Sequence, residues 1–254
     1  MKLPKWKTVQ RIWITTRLTA TAIFVTWSLL AYRAQGPERQ TALESDARVT
    51  VTAADGHWSF TPRAPARAGL IFFPGAMVDP VAYAPLVHAI ADAGYSAILI
   101  QVPRRGAFGG ADGPEVFARA RAAAAAAPVQ RWVVAGHSRG GVIACHVVRD
   151  GFPGLAGAVL LGTSHPRDFS LAAATIPITR VYGTRDTIAD VEKLERTREN
   201  LPPSARIVRI DGGNHSQFGY YGFQPGDWPA TITREAQQLI VRQAILDALG
   251  AASK

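Results

Sequence analysis

Trp132-Val133-Val134-Ala135-Gly136-His137-Ser138-Arg139-Gly140-Gly141-Val142-Ile143-Ala144 is the stretch that decides the fold. An apolar run of β-type residues, Trp132 to Ala135, leads into a G-x-S-x-G, and a helical run begins at Gly141. A strand that ends in this pentapeptide and turns at once into a helix reads as a nucleophile elbow. The turn is so tight that the positions flanking the serine favour glycine. It holds the Ser138 hydroxyl at the mouth of a sheet, above a helix N-terminus. The unpaired N–H groups and partial positive charge there sit where an anionic intermediate would form. Five such residues also arise by chance; the strand before them and the helix after them make the motif specific.

On either side of the elbow the chain alternates strand and helix. Arg48 to Thr52 and Trp58 to Thr61 form a short antiparallel hairpin turning at Ala54-Asp55-Gly56. Leu70 to Phe73 is a compact apolar strand ending at Pro74-Gly75, and Val81 to Ala93 has helical spacing. Ser96 to Val102 is the next buried strand, and Pro114 to Ala127 a helix. Beyond the elbow come strands at Ala156 to Leu161, Ile178 to Tyr182 and Ala205 to Ile210, with helices at Ile188 to Asn200 and Thr231 to Leu249. Strands separated by helices imply an α/β fold with a mostly parallel central sheet, helices on both faces, and chemistry at the strand C-terminal ends.

The 254 residues, 48% of them hydrophobic, suit one α/β domain with a full core plus some extra. The net charge of +9 suggests nucleic acid until it is placed along the chain. Lys2, Lys5, Lys7, Arg11, Arg17 and Arg33 occupy residues 1–35 with no acidic residue, which leaves only +3 for the rest. A nucleic-acid surface is therefore not expected. Leu18 to Tyr32 is an uncharged, mostly apolar run. It is short for a span unless Ile12-Trp13-Ile14 joins it and Arg17 snorkels. An uncleaved anchor, a cleaved signal peptide and a surface-lying helix all fit this run; the first is the expectation. Residues 1–35 are thus the targeting segment, 36–46 a polar stalk and 47–254 the catalytic domain. The positive-inside bias puts that domain outside the cytoplasm, membrane-anchored, or secreted if the segment is cleaved. The lone Cys145 bears on neither placement.

An acyl-transfer serine needs a base, an acid that orients the base, and an oxyanion hole. Asp186 follows the strand Ile178 to Tyr182, and His215 lies on a glycine-rich loop after the strand Ala205 to Ile210. His165 rivals His215 because its loop also opens at the strand C-terminal edge. Asp190 and Asp211 are weaker rivals of Asp186, and Asp190 starts a helix, where an acidic residue is commonly a cap. His137 lies inside the elbow, with its side chain expected to point away from the serine's face. His88 and His146 fall within helices, and His57 in a turn. The oxyanion hole would take the N–H of Arg139 and a second N–H from the loop after Phe73, with Ala76 preferred and Met77 next.

These segments resemble the α/β-hydrolase superfamily, and more narrowly its small bacterial fold-5 type members related to dienelactone hydrolases. Leu70-Ile71-Phe72-Phe73-Pro74-Gly75 with Val78-Asp79-Pro80 carries the likeness, as does Gly136-His137-Ser138-Arg139-Gly140-Gly141. So does the long histidine loop, Gly212-Gly213-Asn214-His215-Ser216-Gln217-Phe218-Gly219 running on to Gln224-Pro225-Gly226-Asp227. The likeness covers about residues 42 to 250. It implies the chain order Ser138, Asp186, His215 for a triad, no cofactor, and hydrolysis of esters or related acyl compounds. Similar proteins carry a small or apolar residue after the serine, so Arg139 is a departure: its guanidinium either attracts anionic substrates or points outward.

The chain holds no histidine-cysteine cluster, P-loop or dinucleotide fingerprint, so neither a metal nor an organic cofactor is expected. Only Thr163 to Pro177 separate two strands where many relatives insert a lid, which leaves no separate lid domain. The site should be open, with walls from Arg105, Phe108, His165, Phe218 and Tyr220. Tyr220, Tyr221 and Phe223 either bind an apolar part of the substrate or pack the histidine loop. The expectation is a carboxylesterase-like serine hydrolase for a small-molecule ester, associated with the membrane through its N-terminal segment. An acyltransferase using the same nucleophile and a non-catalytic envelope-associated binding protein are the alternatives.

Overall fold

A long helix α1 (Trp6–Ala31) and a single turn α2 (Glu38–Thr41) precede a hairpin of β1 (Val49–Ala54) and β2 (His57–Pro62). Then follow β3 (Gly69–Phe73), α3 (Ala84–Asp92), β4 (Ser96–Ile100), α4 (Pro114–Ala126), β5 (Trp132–His137) and α5 (Arg139–Asp150). The chain closes with β6 (Leu155–Leu161), β7 (Ile178–Gly183), α6 (Val191–Arg196), β8 (Arg206–Ile210) and α7 (Arg234–Ala252). The computed structural model describes residues 6–107, 109–111 and 113–254.

All eight strands join one sheet in the order β1-β2-β4-β3-β5-β6-β7-β8. The hairpin pairs antiparallel, and β2 pairs antiparallel with β4. Every other pairing is parallel. β3, β4 and β5 are buried along their whole length, as strands covered on both faces must be. Alternation then divides each strand between two cores. Leu70, Phe72, Val133 and Ala135 face α3 and α7, where Val87, Ile90, Val241 and Ile245 pack on them. Ile71, Phe73 and Val134 face α4 and α5, against Val116, Ala120, Ile143 and Ala144.

From β3 the chain moves to β4 on one side; from β5 it moves to β6 on the other. The strand order therefore reverses between β3 and β5. Their C-terminal loops diverge there and leave a crevice, the usual ligand position in an open α/β sheet. The elbow and the loop after Phe73 are these two loops.

Local hydrogen bonding shortens two expected helices. Val81 to Ala93 divides into a 3₁₀ turn, Pro80–Tyr83, and α3; the Asp79 carboxylate caps the turn by accepting from the Val81 N–H. Ile188 to Asn200 contracts to α6 and a 3₁₀ turn, Arg198–Asn200. The N–H groups of Ile188 and Ala189 are committed to the Asp186 carboxylate, and Asp190 accepts from Lys193 N–H as the N-cap of α6.

α1 takes in Ile12-Trp13-Ile14, with the Arg17 guanidinium 4.0 Å over the Trp13 ring. At 26 residues it is long and apolar enough to cross a membrane. Within residues 36–46, expected as a polar stalk, Ala42 is buried and Leu43 half-buried while the rest are exposed. Just before them Ala34 is buried, and Tyr32 stacks on Tyr221 at 6.2 Å. Removing residues 1–42 should cost about 2–4 kcal/mol of stability relative to removing residues 1–30, since it deletes buried backbone hydrogen bonds worth roughly 1 kcal/mol each. Urea unfolding of the two truncated chains measures this; equal midpoints and slopes would show that the segment does not stabilise the domain.

Candidate active site

Sterics at the switch point dictate the elbow. A Cβ on Gly136 would overlap the Gly140 carbonyl, and one on Gly140 would overlap the Phe73 carbonyl at the end of β3. With no room for side chains on either flank, α5 starts directly at the sheet edge. Ser138 takes up the turn with φ 54° and ψ −116°, a conformation non-glycine residues adopt only when their surroundings impose it. Its N–H donates to the Leu161 carbonyl at 2.9 Å, which ties the elbow to β6.

Asp186 and His215 arrive from the ends of β7 and β8. Asp186 Oδ2 and His215 Nδ1 are 2.8 Å apart, and both residues are buried. The other carboxylate oxygen accepts from Ile188 N–H at 2.9 Å and Ala189 N–H at 2.7 Å. That leaves Asp186 little freedom to turn from the imidazole. His215 Nε2 is buried with no hydrogen-bond partner among the described residues. The imidazole lines the same cleft as Ser138, as a base awaiting the proton of a serine hydroxyl would. Asp190, as the α6 cap, and Asp211, in an exposed ion pair with Arg209, are committed elsewhere.

The cleft has a volume of about 160 Å³. Ser138, Arg139, Thr163, His165, Arg167 and His215 line it, with Val142, Ile188 and Ala189. Burial, then the charges of Arg167 and Arg139, push the His165 pKa down to about 4, so this histidine is a neutral wall at ordinary pH. Arg180, buried within β7, holds that wall by donating to the His165 carbonyl at 2.8 Å. Burial lowers its pKa to about 10, and it remains charged.

Several expected contacts lie elsewhere. The Met77 N–H donates to the Arg105 carbonyl at 2.7 Å, so it is not open to an oxyanion, and Ala76 remains from that loop. The Arg105 guanidinium turns to Asp79 at 3.3 Å, outside the cleft. Phe218 is fully buried, stacked on His137 at 5.2 Å, and packs the histidine loop. Tyr220 lines a separate cavity of about 410 Å³ between α3 and α7 with Pro85, Leu86 and Leu239. Phe108 lies outside the described residues.

A layer beneath the site has no sequence motif to announce it. The His137 ring lies 4.4 Å from that of His215. Burial, then the proximity of His215, hold His137 well below the usual histidine range and keep it neutral. The Gly75 N–H donates to Tyr83 Oη at 3.1 Å, which leaves the hydroxyl proton for His137 Nδ1 at 2.8 Å. One buried hydroxyl thus joins the loop after β3 to the elbow. Tyr83→Phe should destabilise the fold by about 1–3 kcal/mol by leaving both partners buried and unpaired. Chemical denaturation measures this, and an unchanged midpoint would mean that the link carries no energy.

A largely parallel sheet with a serine elbow at its switch point defines an alpha/beta hydrolase. The alpha/beta hydrolase family profile matches residues 69–239, and the chain belongs to that family. Among solved structures it is similar to a dienelactone hydrolase from Anabaena variabilis, with 15% identity and a TM-score of 0.60 over 79% of this chain and 98% of that one. A dienelactone hydrolase-like promiscuous phosphotriesterase from metagenomic libraries aligns with 17% identity and a TM-score of 0.59, over 80% and 98%. A thermophilic esterase from Thermogutta terrifontis aligns with 18% identity and a TM-score of 0.54, over 80% and 92%. At these identities the likeness is one of fold. No curated protein sequence matches the chain.

Proposed function

We propose that the protein is a serine hydrolase that cleaves carboxylic esters through an acyl-enzyme on Ser138. The observation that carries this reading is the strained elbow serine sharing a cleft with an imidazole whose far nitrogen is held by a buried carboxylate. Asp186 fixes the imidazole with its proton on Nδ1, so Nε2 is the acceptor. His215 takes the Ser138 proton as Oγ attacks the ester carbonyl carbon. The carbonyl π electrons move to oxygen, and the N–H groups of Arg139 and Ala76 receive the oxyanion. One such donor is typically worth about 3 kcal/mol of barrier. Collapse of the intermediate breaks the bond to the alcohol oxygen, which leaves with the proton from His215. Water then attacks the acyl-enzyme with His215 again as base, and the acid departs as Ser138 regains its proton. None of these steps calls for a metal or organic cofactor.

The cleft size supports a substrate of which only the ester and its near neighbours enter. The basic N-terminus followed by α1 supports a catalytic domain held at a membrane, on the side opposite the cytoplasm. Two substitutions test the chemistry with p-nitrophenyl acetate. Ser138→Ala should abolish turnover, and Asp186→Asn should lower kcat by about 10⁴ while the circular dichroism spectrum stays unchanged. Asp186→Asn activity within about tenfold of wild type would remove Asp186 from the mechanism.

A further inference from the structure

α1 and the catalytic loops are joined without a linker. α1 is exposed along its length and becomes buried only at Ala31, so it projects away from the domain. From Ala31 the chain is bonded at once to both loops that flank Ser138. The Gly222 N–H donates to the Ala31 carbonyl at 2.7 Å, and the Gln35 N–H to the Tyr220 carbonyl at 2.7 Å. Ala34 forms a β-bridge with Tyr221. On the other side, the Asp79 N–H donates to the Tyr32 carbonyl at 2.8 Å, two residues beyond Met77 in the loop after β3. Tyr221 Oη in turn donates to the His215 carbonyl at 3.4 Å. The helix therefore leaves from the strand C-terminal edge, where the cleft opens.

Among the described residues, four of the six exposed large apolar side chains outside α1 lie on segments that follow strand C-termini; the other two are Ile207 on β8 and Leu239 on α7. Met77, Val191, Phe223 and Trp228 are all at least 40% exposed, and each sits in a loop or helix start that follows a strand C-terminus. The Arg185 guanidinium lies 5.4 Å over the Trp228 ring, and Arg33 lies two residues past the end of α1. Aromatic rings with adjacent arginines, set beside the end of a span, match the interfacial belt of a bilayer.

We propose that this edge rests on the bilayer crossed by α1, and that the substrates are esters dissolved in that bilayer. The substrate part rests on the ester-hydrolase reading above. It also accounts for the small cleft. Only the ester group need rise into the 160 Å³ beside Ser138, while the apolar remainder of the molecule stays in lipid.

The test uses the full chain in phosphatidylcholine vesicles. Cys145 is buried, with its thiol pushed up to about 12 by burial, so an introduced surface cysteine labels selectively. Fluorophores are attached to Phe223→Cys, Trp228→Cys and Gln130→Cys, the last exposed just before β5 at the opposite edge of the sheet. Nitroxide-bearing lipid should quench the probes at 223 and 228 strongly and the probe at 130 weakly. Equal quenching at all three positions, or quenching at 130 alone, would overturn the orientation. In the same vesicles, Trp228→Asp should hydrolyse soluble p-nitrophenyl acetate within about twofold of wild type but a long-chain bilayer ester at least about tenfold more slowly. Equal effects on the two substrates would overturn the substrate class. Wild-type protein that cleaves neither ester would sink the hydrolase reading, while the quenching still decides the orientation.

Discussion

The structure turns on a close backbone approach between β3, β5 and the start of α5. Gly136 and Gly140 face carbonyl oxygens at distances no Cβ could occupy. That contact brings the helix N-terminus to the sheet edge and imposes a left-handed φ on Ser138. It also fixes the elbow against the loop after Phe73, whose Ala76 N–H is assigned to the oxyanion. A hydroxyl, two loops and a helix end are thus set by one steric exclusion. Such a site needs little reorganisation during reaction, the condition under which fixed dipoles stabilise charge most effectively.

Beneath this contact lies a buried polar layer. Tyr83 bridges Gly75 and His137, His137 packs on His215, and Asp186 holds His215 from the other side. The neutrality of His137 matters here. In the proposed mechanism His215 takes a proton, and a second cation in ring contact would oppose it, whereas an uncharged imidazole adds polarisable packing without repulsion. In that proposal Asp186 supplies the opposing charge, held in place by its two backbone N–H bonds and its burial.

The placement of Ser138, Asp186 and His215 was legible because each lies just past a strand end. Strand ends are marked by apolar runs that stop at glycine-rich or polar turns. The largely parallel sheet followed from the same alternation. Of the expected walls His165 lines the cleft, whereas Phe218 and Tyr220 do not. Phe218 and Tyr220 sit in a loop where an aromatic that packs and an aromatic that binds look the same; Phe218 stacks on the distant His137, and Tyr220 lines a cavity with the distant Pro85 and Leu86. The Met77 N–H is taken by the Arg105 carbonyl, and Met77, Arg104 and Arg105 all have positive φ. None of these non-glycine residues signals that conformation. The contacts at either end of the expected stalk carry no sequence signal: Ala34, just before it, and Ala42, within it, are single small apolar residues in a polar stretch, yet both join the buried core.

The proposed mechanism makes the Ser138 oxygen the one nucleophile activated by His215. Its most direct measurement is mass spectrometry of the protein after reaction with a fluorophosphonate, with the modified peptide sequenced. A single phosphonyl adduct on Ser138, absent from protein carrying His215→Ala, is the predicted result. An adduct on another residue, or an unmodified Ser138 in folded protein, would contradict it.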